Sequence, residues 1–311
     1  MEIITSLEAV KTEYSPSVIA LGTFDGLHLG HQDIIKTARD YAQKHGLKLI
    51  VFTFSNHPLS LIKPDLVPVR IITQQQKIKY LEKLGVDILV NVPFDHDLAG
   101  LSPDEFLKKL AVFNYRCLVV GENFSYGFLG SGKTDTLQRT GLHDHFTVII
   151  RQLVKCGKNV ISSTGIRSLI QAGHVEHANQ MLGRAYALTG IVTHGAQRGR
   201  TIGFPTANIE LQRSETAVPA TGGYAVKVKV GDKLYFGMAN IGNNPTFGDV
   251  EHARLEVNLF DFEGDLYGRE ITVYFYKYIR GEEKFASIDE LKARITEDRG
   301  NIKNYFQCYK K

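Results

Sequence analysis

The chain carries two different patterns of hydrophobic and polar positions, one in each half. Up to about residue 172, continuous apolar runs alternate with amphipathic stretches of helical period. Runs separated in this way by helices of ~10 to 15 residues are typical of a parallel sheet covered on both faces. Strands are predicted at residues 18–21, 47–54, 87–92, 116–120 and 146–151. The pattern therefore predicts a doubly wound α/β domain, which we expect to span residues 1–185.

In the second half, the apolar positions recur at every second residue. Val226, Val228 and Val230 alternate with Lys227 and Lys229, so the valines share one face of a strand. Strands of this kind are predicted at residues 187–193, 224–230, 233–240, 254–260 and 271–279. Such antiparallel strands close naturally as a small β-barrel or sandwich. We expect this second domain to span residues 186–311.

The last predicted element is a helix that begins near Ser287. Ser287 is a suitable N-cap, and Glu290 follows three residues later, as in a capping box. A polar segment, residues 173–186, separates the patterns of the two halves. The chain therefore reads as an α/β domain followed by a β domain with a C-terminal helix.

The charge of the chain is nearly balanced, with 37 Lys and Arg residues, 33 Asp and Glu residues and a formal net charge of +4. Neither half is a basic nucleic-acid module, and no stretch approaches the ~18 to 20 apolar residues of a membrane span. Cys117, Cys156 and Cys308 lack Cys-x-x-Cys spacing, which is typical of reduced thiols in the cytosol. With no secretory signal expected, we predict a cytoplasmic protein that binds neither nucleic acid nor membranes. The sequence specifies no oligomeric state.

A glycine-rich loop follows the first predicted strand. Residues 22–31 read Gly-Thr-Phe-Asp-Gly-Leu-His-Leu-Gly-His and lead into a helical pattern. In an open α/β sheet, ligands bind beyond the carboxyl ends of strands, and a helix N-terminus offers free N–H groups to an anion. Glycine lets the backbone approach a phosphate closely, and His28 and His31, three residues apart, can face the same group. The loop therefore predicts a phosphate-binding site.

This loop resembles that of the His-x-Gly-His nucleotidylyltransferases, and more closely that of the bacterial bifunctional riboflavin kinase/FMN adenylyltransferases, also called FAD synthetases. Segments 53–58, 120–127 and 161–167 resemble the same family and follow its order. The resemblance implies catalytic roles for His28, His31 and Arg167. It implies ATP contacts from Gly22, Phe24, Asp25, Gly26, His28, His31, Asn123, Ser163, Thr164 and Arg167, and flavin contacts from Asn56, His57 and Asn123.

A second glycine-rich stretch, residues 190–208, ends in Pro-Thr-Ala-Asn and resembles the riboflavin kinase signature. Backbone N–H groups of such a loop can surround phosphates. The resemblance implies that Thr206 and Asn208 bind Mg²⁺ and that Glu256 is the general base. A base is needed because riboflavin attacks through a neutral hydroxyl, whereas the FMN phosphate is already an anion. The implied ATP contacts are Gly195, Gly199, Arg200, Gly203, Thr206 and Asn208, and the implied flavin contacts are Glu256 and Arg280.

The resemblance implies two reactions in FAD biosynthesis, both with ATP and Mg²⁺. The C-terminal domain would phosphorylate riboflavin to FMN, and the N-terminal domain would adenylylate FMN to FAD with release of pyrophosphate. Two alternatives stay open. Because Gly223 and Asn244 depart from the family's usual residues, one is a monofunctional FMN adenylyltransferase with a silent kinase module. The other is a non-catalytic flavin-binding or regulatory protein with both folds.

Residues 127–134 also fit the P-loop pattern of Gly, four residues and Gly-Lys-Thr. A P-loop follows its strand directly and opens a long helix. Here residues 122–126 intervene after the predicted strand, and Gly141 interrupts the helical pattern that follows. We therefore do not assign a second ATP site to this segment.

Overall fold

The computed structural model describes residues 1–8, 10, 14–194, 203–211, 216–244, 252–283 and 285–308. The chain divides into two compact units, Met1–Ser163 and Thr164–Lys311. The domain boundary at residue 185 stays a prediction. No helix in these described ranges is both long and apolar enough to cross a membrane.

The first unit alternates strands and helices along the chain. In chain order it contains β1 (Glu2–Ile4), β2 (Ser17–Leu21), α1 (Leu29–His45), β3 (Lys48–Phe54), α2 (Leu59–Ile62), α3 (Gln74–Lys83), β4 (Ile88–Val92), α4 (His96–Gly100), α5 (Pro103–Leu110), β5 (Tyr115–Gly121), β6 (Ser125–Tyr126), β7 (Gly132–Lys133), α6 (Thr134–His143), β8 (Thr147–Arg151), β9 (Lys155–Cys156) and β10 (Asn159–Val160). Short 3-10 helices lie at Asp25–Leu27, Pro64–Leu66, Ala111–Phe113 and Phe128–Gly130.

Six strands of the described first unit form one parallel sheet in the order β1-β4-β3-β2-β5-β8. The predicted α/β fold is therefore confirmed, and the five predicted strands correspond to β2, β3, β4, β5 and β8. The short edge strand β1 was missed. The chain runs from β2 to β3 on one side, while β5 pairs with the other side of β2. This reversal is a topological switch point, where open α/β sheets bind ligands beyond the strand ends.

Helix α1 begins directly after the glycine-rich loop. His28 is its N-cap, and Gly46 ends it in a left-handed conformation with φ of 64°. Ile35, Ala38 and Ala42 are buried and recur at helical spacing, so one face of α1 packs against the unit's interior. This packing fixes the start of α1 at the carboxyl end of β2.

The second unit is built on a β-barrel. In chain order the elements are α7 (Ser163–Gln171), whose first residue ends the first unit, α8 (Val175–Leu182), β11 (Tyr186–Thr193), β12 (Ala207–Leu211), β13 (Gly222–Val230), β14 (Lys233–Asn244), β15 (His252–Leu259), β16 (Glu270–Arg280) and α9 (Ile288–Cys308). The six described strands close as an antiparallel barrel in the order β11-β12-β15-β14-β13-β16. The barrel prediction is confirmed.

Two stretches of the second unit differ from the sequence pattern. The glycine-rich stretch at residues 190–208, which begins within the predicted strand 187–193, also contains the start of β12, so Asn208 lies on a strand. The polar segment at residues 173–186 contains α8, which buries Val175, Ala178 and Met181. Asn179 of α8 donates to the carbonyl of Phe275 on β16 at 2.8 Å. The polar residues between these positions made the segment read as polar in the sequence, so its apolar helix face was not predicted.

Helix α9 begins where the sequence places its N-cap. The hydroxyl oxygen of Ser287 accepts from the N–H of Glu290 at 3.1 Å. The Glu290 carboxylate accepts from the N–H of Ala286 at 2.8 Å, one residue before the position that a capping box uses. The other end of α9 packs Phe306 against Phe236, with ring centroids 4.7 Å apart.

Candidate functional site

A cavity of about 720 Å³ lies in the first unit, beyond the carboxyl ends of β2 and β5. The glycine-rich loop forms one wall, the segment after β5 forms another, and the hairpin of β9 and β10 contributes a third. The predicted site residues that line this cavity are Gly22, Phe24, His28, His31, Asn123 and Ser163. The fold therefore brings together side chains from three separate stretches of sequence.

Several residues of the glycine-rich loop have left-handed backbone conformations. Phe24 is fully buried with φ of 51°, and Gly26 has φ of 79°. A Cβ atom at Gly26 would lie 2.8 Å from Cδ1 of Ile71, so the position excludes larger residues both by conformation and by space. Ser163, the last residue of the unit, also holds this loop, because its hydroxyl donates to the carbonyl of Asp25 at 2.9 Å.

The two histidines stack at the start of α1. Their ring centroids are 3.6 Å apart with an interplanar angle of 17°. Nδ1 of His28 accepts from the backbone N–H of His31 at 3.3 Å, which caps the helix and fixes the His28 ring. Phe24 contacts the His31 ring edge-on at 5.3 Å between centroids. Both imidazoles thus border the cavity beside the positive end of a 17-residue helix, a suitable site for a phosphate chain.

Four predicted site residues of the first unit do not line the cavity: Asp25, Gly26, Asn56 and His57. The Asp25 carboxylate accepts from the N–H of Ile71 at 3.1 Å. The Asn56 amide accepts from the N–H of Phe94 at 2.7 Å and donates to the carbonyl of the same residue at 3.1 Å. Nδ1 of His57 accepts from the N–H of Leu59 at 3.1 Å. These side chains hold the loops that surround the cavity.

Thr164 and Arg167 follow Ser163 on α7 but belong to the second unit. Arg167 is buried. Their predicted contacts with ATP stay predictions.

Much of the cavity lining is aromatic. Its rings include Phe52, Phe54, Phe94, Phe106, Phe124 and Tyr126. Edge-on contacts order this lining, such as Phe54 with Phe94 at 5.2 Å and Phe52 with Phe106 at 5.7 Å between centroids. Burial raises the pKa of the Tyr126 hydroxyl. The cavity therefore combines the polar start of α1 with aromatic lining that suits a flat ligand.

The segment with the P-loop pattern forms a hairpin, with β6 and β7 joined through the 3-10 helix Phe128–Gly130. Gly127 has φ of 73°, and a Cβ atom there would lie 2.7 Å from the backbone nitrogen of Pro103. The hairpin supplies Tyr126 and Gly127 to the cavity. Its geometry agrees with its rejection as a phosphate loop.

In the second unit, three neighbouring strands bring polar side chains together. Glu256 of β15 pairs with Asn208 of β12 on one side and with Asn240 of β14 on the other. Nε of Arg254 lies 2.9 Å from Oε1 of Glu256 and donates to Oδ1 of Asn208 at 2.8 Å. The predicted base and the predicted metal ligand therefore share one guanidinium partner.

The remaining predicted kinase residues are distributed as follows. Thr206 is half-buried two residues before Asn208, and Gly203 has φ of 86°. Gly195, Gly199 and Arg200 lie outside the described residues. Nε of Arg280 donates to the buried carboxylate of Asp298 at 2.7 Å, so that Arg280 joins the end of β16 to α9.

Comparison with known proteins identifies both units. A family model described as FAD synthetase matches residues 10–165, and one described as riboflavin kinase matches residues 182–306. The chain is 42% identical over 306 residues to the bifunctional riboflavin kinase/FMN adenylyltransferase of Bacillus subtilis, covering 97% of this chain and 96% of that protein. The chain belongs to this bifunctional family.

Two further members of the comparison cover nearly the same length. The family's protein from Escherichia coli K12 is 38% identical over 292 residues, covering 93% of this chain and 92% of that protein. A crystal structure described as a macrolide-efflux protein from Streptococcus pneumoniae has a TM-score of 0.90 and 36% identity, covering 97% and 98% of the two chains. Membership of the bifunctional riboflavin kinase/FMN adenylyltransferase family confirms the predicted role in FAD biosynthesis and favours it over the silent-kinase and non-catalytic alternatives.

Three charged residues of this family member were missed in the sequence. Arg151 ends β8 in the cavity wall, where Nε lies 2.7 Å from Oδ2 of Asp33. That hydrogen bond raises the pKa of the Arg151 guanidinium. Arg254 was overlooked beside Glu256. Lys77 has a nearly buried side chain in a helix whose sequence is rich in Gln and Lys. Of the three, only Arg151 could have been found from the sequence, because it lies at the end of a predicted strand, where ligands bind.

Proposed function

We propose that the chain converts riboflavin to FAD in two ATP-dependent steps, with the N-terminal cavity and the group of Glu256, Asn208 and Arg254 as the two sites. The match of one family model to each half carries this proposal. The geometry supports it, because each half holds its own polar cluster of the kind that phosphoryl chemistry requires. The two sites share no residue.

In the N-terminal cavity, the FMN phosphate attacks the α-phosphorus of ATP. A new P–O bond forms, the bond to the β-phosphate oxygen breaks and pyrophosphate leaves. The attacking phosphate is already an anion, so catalysis consists of positioning and charge stabilisation. His28, His31 and the N–H groups at the start of α1 stabilise the phosphates. Asn123 and Ser163, which also line the cavity, hold the substrates in place.

The aromatic lining of the same cavity accepts the flavin ring. Phe54, Phe106 and Tyr126 offer flat apolar surface, while the histidines lie at the start of α1. A ligand with a planar ring system and a terminal phosphate matches both features. FMN therefore enters with its ring on the aromatic lining and its phosphate towards α1.

In the barrel, Glu256 accepts the proton of the terminal ribityl hydroxyl of riboflavin. The hydroxyl oxygen then bonds to the γ-phosphorus of ATP, and ADP leaves. Asn208 lies beside Glu256 across the β12–β15 pair, which brings the metal ligand and the base to one place. Thr206 and Asn208 offer hydroxyl and amide oxygens, which suit Mg²⁺ as ligands. The Asn208 oxygen would bind the ion once the Arg254 guanidinium moves away from it.

Mg²⁺, when bound, neutralises charge on the phosphates at both sites. In the described residues, no three His, Cys, Asp or Glu side chains form a preformed metal cluster. Mg²⁺ is usually held by few protein ligands together with substrate phosphates, so an ion that arrives with ATP fits this arrangement.

We also propose a cytoplasmic location and a boundary between the two catalytic domains at residue 185. The three free cysteines support a reducing compartment. The family models leave residues 166–181 between their matches, and residue 185 lies just beyond that interval. The partners of the protein are small molecules, and its balanced charge supports no role in nucleic-acid binding.

Product chromatography tests the proposed function. Purified protein is incubated with Mg-ATP and either riboflavin or FMN. We expect FAD from both substrates, with FMN as an intermediate from riboflavin. FAD from FMN alone would overturn the kinase assignment, and no conversion of either substrate by the folded protein would overturn both assignments.

A further inference from the structure

Lys77 lies behind the glycine-rich loop, on α3, with only 6% of its surface exposed. Its Nζ donates to the carbonyls of Thr23 at 3.0 Å and Phe54 at 3.3 Å, and to the hydroxyl of Thr53 at 3.4 Å. These acceptors follow β2 or end β3. One ammonium group therefore joins the two strand ends that flank the cavity.

All three acceptors of Lys77 are uncharged oxygens. Burying an ammonium group among neutral partners is costly, whereas an apolar side chain of similar length would fill the space without that cost. Burial accordingly lowers the pKa of Lys77 to about 8. The charged groups that act on it are Asp25, which raises this pKa, and Arg70, which lowers it. A buried cation with a lowered pKa next to a ligand cavity is a typical feature of functional sites.

The neighbouring residues of Lys77 brace the same two loops. The carbonyl of Ser55, just after β3, accepts from two of them. One donor is the Arg70 guanidinium, at 2.8 Å, and the other is the side-chain amide of Gln74, one turn before Lys77 on α3. The N–H of Ile71 binds the Asp25 carboxylate. Within this set, Lys77 binds the backbone of Thr23, which itself lines the cavity. Its positive charge therefore lies 3.0 Å behind a wall of the phosphate end.

We propose that Lys77 is a positioning residue for adenylyl transfer. Its ammonium group fixes the Gly22–Asp25 segment in the conformation that receives the triphosphate, and its charge favours the anion on the other side of that segment. This inference rests on the proposed function of the N-terminal cavity. It differs from a purely structural role because it requires the protonated form of Lys77 during the reaction.

The test compares Lys77→Met and Lys77→Arg with the wild type. Lys79→Met is the matched control, since Lys79 is exposed two residues further along α3. The measurement is kcat/KM for ATP in FAD formation from FMN, taken from neutral to alkaline pH. Riboflavin phosphorylation by the same samples reports on the barrel and serves as an internal control.

We expect Lys77→Met to lower kcat/KM for FAD formation about 100-fold, while Lys79→Met and riboflavin phosphorylation stay unchanged. The wild type should lose FAD formation as the pH rises above about 8, where Lys77 loses its proton. Lys77→Arg should keep most of the activity and shift this loss to higher pH, because guanidinium stays protonated.

Equal activity of Lys77→Met and Lys79→Met would overturn the inference. If Lys77→Met does not fold, an alkaline loss shared by the wild type and Lys77→Arg would overturn it as well. Absence of FAD formation by the wild type would instead contradict the proposed function, so the two failures are distinguishable.

Discussion

At the scale of single residues, the two proposed sites rest on a few side chains whose neighbours hold them in place. The His28 ring is fixed by its hydrogen bond to the backbone of His31. Glu256 and Asn208 meet at Arg254. Such neighbours matter because a displacement of about 1 Å at a reacting group can cost ~100-fold in rate.

Gly26→Ala should impair adenylyl transfer. The added Cβ would meet Ile71 at 2.8 Å, so the loop that precedes His28 must shift. We expect FAD formation from FMN to fall about 100-fold with riboflavin phosphorylation unchanged. Gly46→Ala is the matched control, because Gly46 also has a positive φ but its Cβ would meet nothing within 4 Å. Equal losses of activity in the two variants would contradict the role of the tight loop.

Arg254→Met should impair riboflavin phosphorylation. It removes the partner that holds the Glu256 carboxylate and the Asn208 amide, and we expect FMN formation to fall about 10- to 100-fold. FAD formation from FMN should be unchanged. Arg269→Met is the control, because Arg269 is an exposed arginine on the same barrel. Unchanged FMN formation in Arg254→Met would show that Arg254 does not support the base.

At the scale of elements, the spacing of apolar residues predicted the strands and helices that are long enough to show a period. The five apolar runs and the alternating valines gave the parallel sheet and the barrel strands, and Ser287 gave the start of α9. The three-residue strand β1 is too short to show a period, and glycines before β12 concealed its start.

The sequence also predicted the glycine-rich loop and the histidine pair, but not the residues that hold the sites in place. Lys77 lies in a helix with Gln and Lys at most other positions, so its side chain reads as solvated. Arg254 alternates with hydrophobic residues and reads as a solvated strand residue. The roles proposed for them depend on neighbours distant in sequence, such as Thr23 for Lys77 and Asn208 for Arg254, which only the fold brings close.

The docking of α9 on the barrel should depend on Lys227. Its Nζ lies 4.9 Å from the ring centroid of Tyr276, 5.4 Å from that of Phe306 and 5.6 Å from that of Phe236. Phe306 belongs to α9, so Lys227→Met should reduce stability by about 1 kcal/mol and weaken the amide hydrogen-exchange protection of α9. Exposed Lys229, two residues along β13, provides the control Lys229→Met. Equal protection of α9 in both variants would rule out this cation–π contribution.

At the scale of the whole molecule, the chain joins two units with different chemical needs. In the proposed reaction of the first, an anionic phosphate attacks, so we expect a helix N-terminus and two imidazoles to suffice. A neutral hydroxyl attacks in the second, so a carboxylate base is required. The product of the barrel is the substrate of the α/β unit, which explains why one chain carries both.

The most direct test is a reciprocal one with His28→Ala and Glu256→Gln, each assayed for FMN formation from riboflavin and FAD formation from FMN. His28→Ala should reduce FAD formation at least about 100-fold and leave FMN formation intact, whereas Glu256→Gln should do the reverse. Loss of both activities in either folded variant, or of neither in both, would contradict two separate sites on one chain.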